Sequence, residues 1–150
     1  MGKEIERKFL VTGNGWRKDA DGGKTIRQAY LAHTKELTIR VRTIGKNKAY
    51  LTIKTAAAEL SRDEYEYEIP VEDARKLMKR RVGRLIVKRR YIVEVNRSRF
   101  EVDVFGRKLK GLVIAEIELT SRHTLFKHPE WLGKEITGKK RYYNAHLARA

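Results

Sequence analysis

Residues 39–54 read Ile39-Arg40-Val41-Arg42-Thr43-Ile44-Gly45-Lys46-Asn47-Lys48-Ala49-Tyr50-Leu51-Thr52-Ile53-Lys54. Apolar and polar residues alternate on both sides of Gly45-Lys46-Asn47, the period-two signature of a strand, a turn and a returning strand. The same alternation recurs outward from this hairpin in eight segments overall, roughly 3–11, 25–32, 36–44, 48–55, 62–70, 85–96, 98–105 and 112–120. Turn-forming residues separate most of them: Asn14-Gly15, Asp21-Gly22-Gly23, Asn96-Arg97-Ser98 and Lys110-Gly111. A helix is expected at about 71–80, after Pro70, with Glu72 and Asp73 in its first turn and Lys79 and Arg80 in its last. A second is expected over 122–127, followed by a turn at Trp131-Leu132-Gly133, and a short third over 143–149. The predicted fold is mainly β: one domain spanning 1–150, a closed eight-stranded antiparallel β-barrel with a few short covering helices. Eight strands is a natural size for a barrel that holds side chains or one small ligand.

Residues two apart in a strand share a face. On one face run Glu4, Glu6 and Lys8; Arg40 and Arg42; Thr52 and Lys54; Glu64, Glu66 and Glu68; Lys88, Arg90 and Glu94; Glu101 and Asp103; Glu116 and Glu118. Ile5, Phe9, Ile39, Val41, Leu51, Ile53, Tyr65, Tyr67, Val87, Tyr91, Phe100, Val102, Ala115 and Ile117 take the other. Ordinary half-buried strands also put polar residues outward, but solvated faces usually mix in Ser, Thr, Gln and Asn. Here nearly every polar-phase position is charged, with acids and bases grouped on different strands. We expect this phase to face a lumen, where buried charges need partners that cations and a polyanion supply. Alternation alone leaves open which face that is.

The formal charge of +16, from 35 Lys and Arg against 19 Asp and Glu, favours polyanionic partners. With no cysteine, disulfides and thiolate metal sites are excluded. No segment has the apolar length of a membrane helix or a secretory leader, so a soluble cytoplasmic protein is expected. Carboxylates suit hard cations such as Mg²⁺ or Mn²⁺, and Glu4, Glu6, Asp103, Glu116 and Glu118 are candidate ligands. Arg40 and Arg42 can grip phosphate oxygens bidentately, while Lys8, Lys54 and Lys88 act as point charges. His33, His123, His128 and His146 lack ligand spacing, and Ser61 lacks His and acid partners for nucleophilic catalysis. Trp16 and Trp131 are expected to be packing residues and Arg89 a solvated charge.

The opening Glu4-Ile5-Glu6-Arg7-Lys8 resembles the Glu-x-Glu-x-Lys signature of the CYTH family, or triphosphate tunnel metalloenzymes. Further matching segments follow in order: Arg27-Gln28-Ala29-Tyr30-Leu31, Ile39-Arg40-Val41-Arg42, Leu51-Thr52-Ile53-Lys54, Ser61-Arg62-Asp63-Glu64-Tyr65-Glu66, Lys88-Arg89-Arg90-Tyr91, Glu101-Val102-Asp103-Val104-Phe105, Ala115-Glu116-Ile117-Glu118 and Lys140-Arg141-Tyr142. The resemblance covers essentially the whole chain and looks closest to the short bacterial members. It implies an eight-stranded tunnel that hydrolyses a triphosphate: inorganic, thiamine-linked or at an RNA 5′ end, with ATP cyclisation in some members. It implies a divalent metal at Glu4, Glu6, Asp103, Glu116 and Glu118, and triphosphate contacts by Lys8, Arg40, Arg42, Lys54, Lys88, Arg90 and Lys140. It also makes Glu64 and Glu66 candidates for a second metal or for ordering the attacking water, and Tyr30 a contact of Lys8 or substrate. One departure is Lys139, where similar short members often carry an acid.

The leading expectation is metal-dependent hydrolysis of inorganic tripolyphosphate. Adenylate cyclisation and cleavage of thiamine or nucleoside triphosphate are the enzymatic alternatives. A polyphosphate- or RNA-binding barrel without turnover is the rival of another class, and nucleic acid ranks behind a small triphosphate as partner. A pure polyanion binder gains nothing from a row of carboxylates facing its ligand. A homodimer is expected if the apolar phase has too few helices to cover it.

Overall fold

The computed structural model describes residues 5–56, 62–121 and 123–149. The chain divides into two compact units, residues 1–24 with 88–140 and residues 25–87 with 141–150.

In the first unit, strand β1 (Ile5–Val11) leads to a short 3₁₀ turn, Gly15–Asp19. The long strand β6 (Val82–Val95) enters this unit at residue 88. It turns back into β7 (Ser98–Phe105), and β8 (Val113–Leu119) and the short β9 (Leu132–Glu135) follow. The β6–β7 turn holds Asn96 and Arg97 at φ 52° and 65°, with Val95 paired to Ser98. Two consecutive left-handed residues match the twist of the flanking strands. Register places Glu6 opposite Glu118, Lys8 opposite Glu116, Glu101 opposite Glu116 and Arg90 opposite Asp103.

The alternate residues Phe9, Val93, Phe100, Val102, Ala115, Ile117 and Leu119 form the core of this unit with Trp16 and Trp131. The Trp131 ring meets Phe100 edge-on at 5.1 Å, and Phe126 packs on both Phe9 and Phe100. Both tryptophans are thus packing residues. The expected helix over 122–127 is not seen: residues 123–131 are irregular apart from turns, and residue 122 lies outside the described residues. Pro129 disfavours helical backbone at His128, and burial of Phe126 and Trp131 rewards a path along the sheet. Arg89 is exposed, as expected of a solvated charge, and it also holds a loop. Its guanidinium donates to the Gly22 carbonyl at 2.6 Å, fastening the 21–23 loop. Gly23 there sits at φ 74°, and a Cβ would lie 2.8 Å from the Tyr91 ring.

The second unit contains β2 (Lys24–His33), β3 (Leu37–Ile44), β4 (Lys48–Ala56) and β5 (Arg62–Glu68). It also contains helix α1 (Val71–Met78), the first residues of β6 and a single-turn helix α2 (Asn144–Leu147). The β3–β4 hairpin turns at Gly45, φ 62°, as its sequence predicts. Helix α1 buries Ala74 and Met78 against Ala29, Val41 and Ala49, the apolar phase of β2–β4. A Cβ on Gly83, φ 72°, would collide with the Ala148 carbonyl, so glycine lets the C-terminal segment approach and accept a bond from Arg84 N.

The hydrogen-bonded order is β5-β4-β3-β2-β6-β7-β8-β1-β9, antiparallel in the ladders above. The eight predicted strands are present, but the closed eight-stranded barrel is corrected to nine strands in an open order. The physical reason lies at β1. One of its edges pairs with β8, and β9 takes the Phe9–Val11 end of the other through Phe9–Glu135 and Val11–Leu132, where closure would need a further strand. β9 escaped the sequence reading because Leu-Gly-Lys-Glu is too short to show a period, and it occupies part of the expected turn at 131–133. A bidentate bond from Arg7 to Glu135, 2.7 and 2.9 Å, staples it to β1.

Candidate active site

In the first unit the charged phase converges on Asp103. This carboxylate is buried, and both oxygens accept from cations: Lys88 Nζ at 2.8 Å on Oδ2, and Arg90 bidentately at 2.8 and 2.9 Å. Lys88 is itself only 2% exposed. Burial pushes the Asp103 carboxyl up, but the charge of Lys88 and the bonds from Arg90 outweigh it and hold the group at about 2. Burial works against the Arg90 charge too, and Asp103 overcomes it, keeping the guanidinium protonated. Arg90 also reaches Glu101 at 3.5 Å.

Beside this cluster lies a pair of acids. Burial raises the Glu116 carboxyl to about 7, helped by a hydrogen bond with Glu6 and by the Glu6 charge, and opposed by Lys8 and Arg90. Two adjacent carboxylates are oxygen donors of the kind a hard cation binds. Glu118, opposite Glu6, is exposed on the same face. Glu4 lies outside the described residues. Among the described residues, no group of three or more His, Asp or Glu side chains is already gathered around one point, and none of the four histidines joins these acids. A cavity of about 530 Å³ elsewhere in this unit is lined by Lys18, Lys127, His128 and Trp131, none of them in the charged set.

In the second unit Arg40 and Arg42 donate to uncharged side chains. Arg40 Nη2 donates to Thr52 Oγ1 at 3.3 Å, and Thr52 in turn donates to Glu66 at 3.2 Å. Those three residues stand opposite one another across β3, β4 and β5. Arg42 Nε donates to Gln28 Oε1 at 2.7 Å. Tyr30, opposite Arg40, is buried, which raises its hydroxyl pKa against the charges of Arg40 and Arg42. Gln28 Nε2 and Arg40 Nε are buried without a hydrogen-bond partner among the described residues. Lys54 is half-buried, whereas Glu64 and Glu66 are exposed. Lys140 is exposed on a 3₁₀ turn, Lys140–Tyr142.

The structure therefore groups Lys88, Arg90 and Asp103, and Glu6, Glu116 and Lys8, in one unit. It groups Tyr30, Arg40, Arg42 and Glu66 in the other. Gln28 and Thr52 were missed as site residues, although both occupy the otherwise charged phase of their strands, opposite Arg42 and Arg40. An uncharged polar residue at such a position is the signal that points to them.

Comparison with known proteins bears on the chain as a whole. The CYTH domain model matches residues 2–148. The chain is 41% identical over 150 residues to a protein of Acetivibrio thermocellus named inorganic triphosphatase, covering 99% of this chain and 95% of that protein. It is 37% identical over 152 residues to the inorganic triphosphatase of Nitrosomonas europaea, covering 97% and 96%. The crystal structure of the inorganic triphosphatase NE1496 superposes with a TM-score of 0.78 at 34% identity, over 100% of this chain and 97% of that one. With charged strand phases in the order its motifs predict, and a family match from end to end, this chain belongs to the CYTH domain family.

Proposed function

We propose that this chain is a divalent-metal-dependent triphosphatase acting on inorganic tripolyphosphate. The observation that carries the reading is the Glu6–Glu116 acid pair beside cation-rich strands, in a chain 41% identical to a protein named inorganic triphosphatase. A Mg²⁺ or Mn²⁺ ion held by Glu6, Glu116 and Glu118, when bound, would neutralise phosphate charge. Glu4 belongs to the same proposed set. Asp103 does so only if Lys88 and Arg90 release it, and its role in the arrangement seen is to hold those two cations.

Arg40 and Arg42 bind phosphate oxygens, their planes set by Thr52 and Gln28. The buried, unpartnered Nε of Arg40 and Nε2 of Gln28 are donors suited to the same oxygens. Lys8, Lys54, Lys88, Arg90 and Lys140 add positive charge. Tyr30 supports Arg40, and Glu64 and Glu66 order the attacking water. Water adds to a terminal phosphorus, the P–O anhydride bond breaks, and phosphate and pyrophosphate leave with the proton passing to solvent. Positioning and charge neutralisation suffice for such a transfer. We take 1–150 as a single catalytic domain, supported by one family model spanning residues 2–148, and its location as cytoplasmic.

The test is phosphate release from tripolyphosphate, ATP, thiamine triphosphate and pyrophosphate with Mg²⁺, Mn²⁺ or chelator. Tripolyphosphate is expected to turn over fastest, and chelator to abolish turnover. Glu6→Gln and Arg40→Ala are each expected to lower kcat by at least ~100-fold. Undiminished rates in both variants would refute the assignment, and cyclic AMP from ATP would move it to the cyclase alternative.

A further inference from the structure

The proposed site does not account for the charge of the molecule. Its seven cations, Lys8, Arg40, Arg42, Lys54, Lys88, Arg90 and Lys140, are matched by seven acids, Glu4, Glu6, Glu64, Glu66, Asp103, Glu116 and Glu118. The whole excess of +16 therefore lies elsewhere. Its densest concentration is in residues 75–84, with Arg75, Lys76, Lys79, Arg80, Arg81 and Arg84 and no acid.

The fold puts this run on an outer surface. Helix α1 docks through Ala74 and Met78 onto Val41 and Ala49, which alternate with Arg40 and Arg42 along the sheet. The helix thus covers the face opposite those arginines. Arg75, Lys76, Lys79, Arg80 and Arg81 all remain exposed, and among the described residues only Lys76 of these forms an ion pair, with Glu72 at 3.7 Å. Exposed Arg149 joins them, since its Cα lies 3.6 Å from where a Gly83 Cβ would stand.

The same face carries two exposed aromatic rings. Tyr67 is paired with Leu51, which packs against the cluster that α1 completes, and Tyr65 is paired with Ile53. They occupy the apolar phase yet are 55% and 48% exposed, because α1 covers β3 and β4 while these rings stand on β5. Cations that track a phosphate backbone, flanked by rings on which bases stack, are the two elements of single-strand recognition. Inorganic polyphosphate would use the cations and have no use for the rings.

We propose that this α1–β5 face of the second unit is a docking surface for single-stranded nucleic acid, separate from the triphosphatase residues and independent of that assignment.

The experiment measures binding of a fluorescent oligouridylate by anisotropy across a salt series, with long-chain polyphosphate and phosphatidylserine vesicles as competitors. Lys79→Glu/Arg80→Glu/Arg81→Glu should abolish binding at moderate salt and leave tripolyphosphate hydrolysis intact. In wild type, logarithmic affinity should fall with logarithmic salt by about 0.7 per phosphate engaged. Tyr65→Ala/Tyr67→Ala should weaken the oligonucleotide at least ~5-fold, as loss of a stacked base does, and leave polyphosphate binding unchanged. Circular dichroism of both variants confirms folding. No oligonucleotide binding, or binding unmoved by the tyrosine pair, overturns the proposal, the latter leaving a charge-only surface for polyphosphate or lipid.

Discussion

The two units hold their inward-phase cations by different means. In the first, Lys88 and Arg90 are tied to a carboxylate, Asp103, with both of its oxygens engaged. In the second, Arg40 and Arg42 lean on a hydroxyl and an amide. An acid partner cancels charge and makes a cation part of the fold. A neutral partner fixes direction and leaves the charge for a ligand. The contrast teaches that arginines in similar strand patterns are oriented by different chemistry: Arg90 is held by the protein's own carboxylate, whereas Arg40 donates to the Thr52 hydroxyl and Arg42 to the Gln28 amide oxygen.

That contrast can be broken by mutation. The largest expected stability effect is Asp103→Ala, which strands a lysine that is 2% exposed and should cost ~3–5 kcal/mol in denaturant unfolding. Adding Lys88→Met should recover most of that loss, since an apolar replacement removes the buried charge. If the single variant loses less than ~1 kcal/mol, Asp103 is not the anchor described.

Acid titration sharpens the same point. The Asp103 carboxyl is held near 2 against an ordinary 3.8, so its contribution is complete above the ordinary value and disappears as pH falls through about 2. The loss over that window should reach ~2 kcal/mol, and Asp103→Asn should flatten it. A variant with the wild-type acid slope would place the effect elsewhere.

In the second unit effects on stability should be smaller and effects on substrate larger. Gln28→Ala is expected to cost ~1 kcal/mol in stability and to raise KM for tripolyphosphate several-fold, because Arg42 loses its orienting acceptor. An unchanged KM would show that Arg42 needs no such support. The smallest effect is expected from Glu135→Gln, which removes an exposed Arg7 pair worth under ~1 kcal/mol.

Much of this was legible in the chain. Alternation located all eight long strands, the Gly45 turn and α1, because a two-residue period with one apolar phase is imposed by a sheet with one face on a core. The proposed acids and bases stood out because nearly every residue of the other phase is charged. The short β9, the irregular 123–131 segment and the binding of Arg89 to Gly22 were not legible. Each depends on contacts between residues distant in sequence, and four residues are too few to display a period. The chain covers much of its own apolar phase with Trp16, Phe126, Trp131 and α1.

Sequence by itself determined the strands, their two chemical faces and the family, since these follow from local periodicity and residue identity. Tertiary structure alone decided that Lys88 and Arg90 share Asp103, that Glu6 meets Glu116, and that Tyr65 and Tyr67 remain exposed beside a basic helix. Alternation assigns a residue to a face. Which cross-strand neighbours then meet, and how much water reaches them, depends on register and on what packs above the sheet.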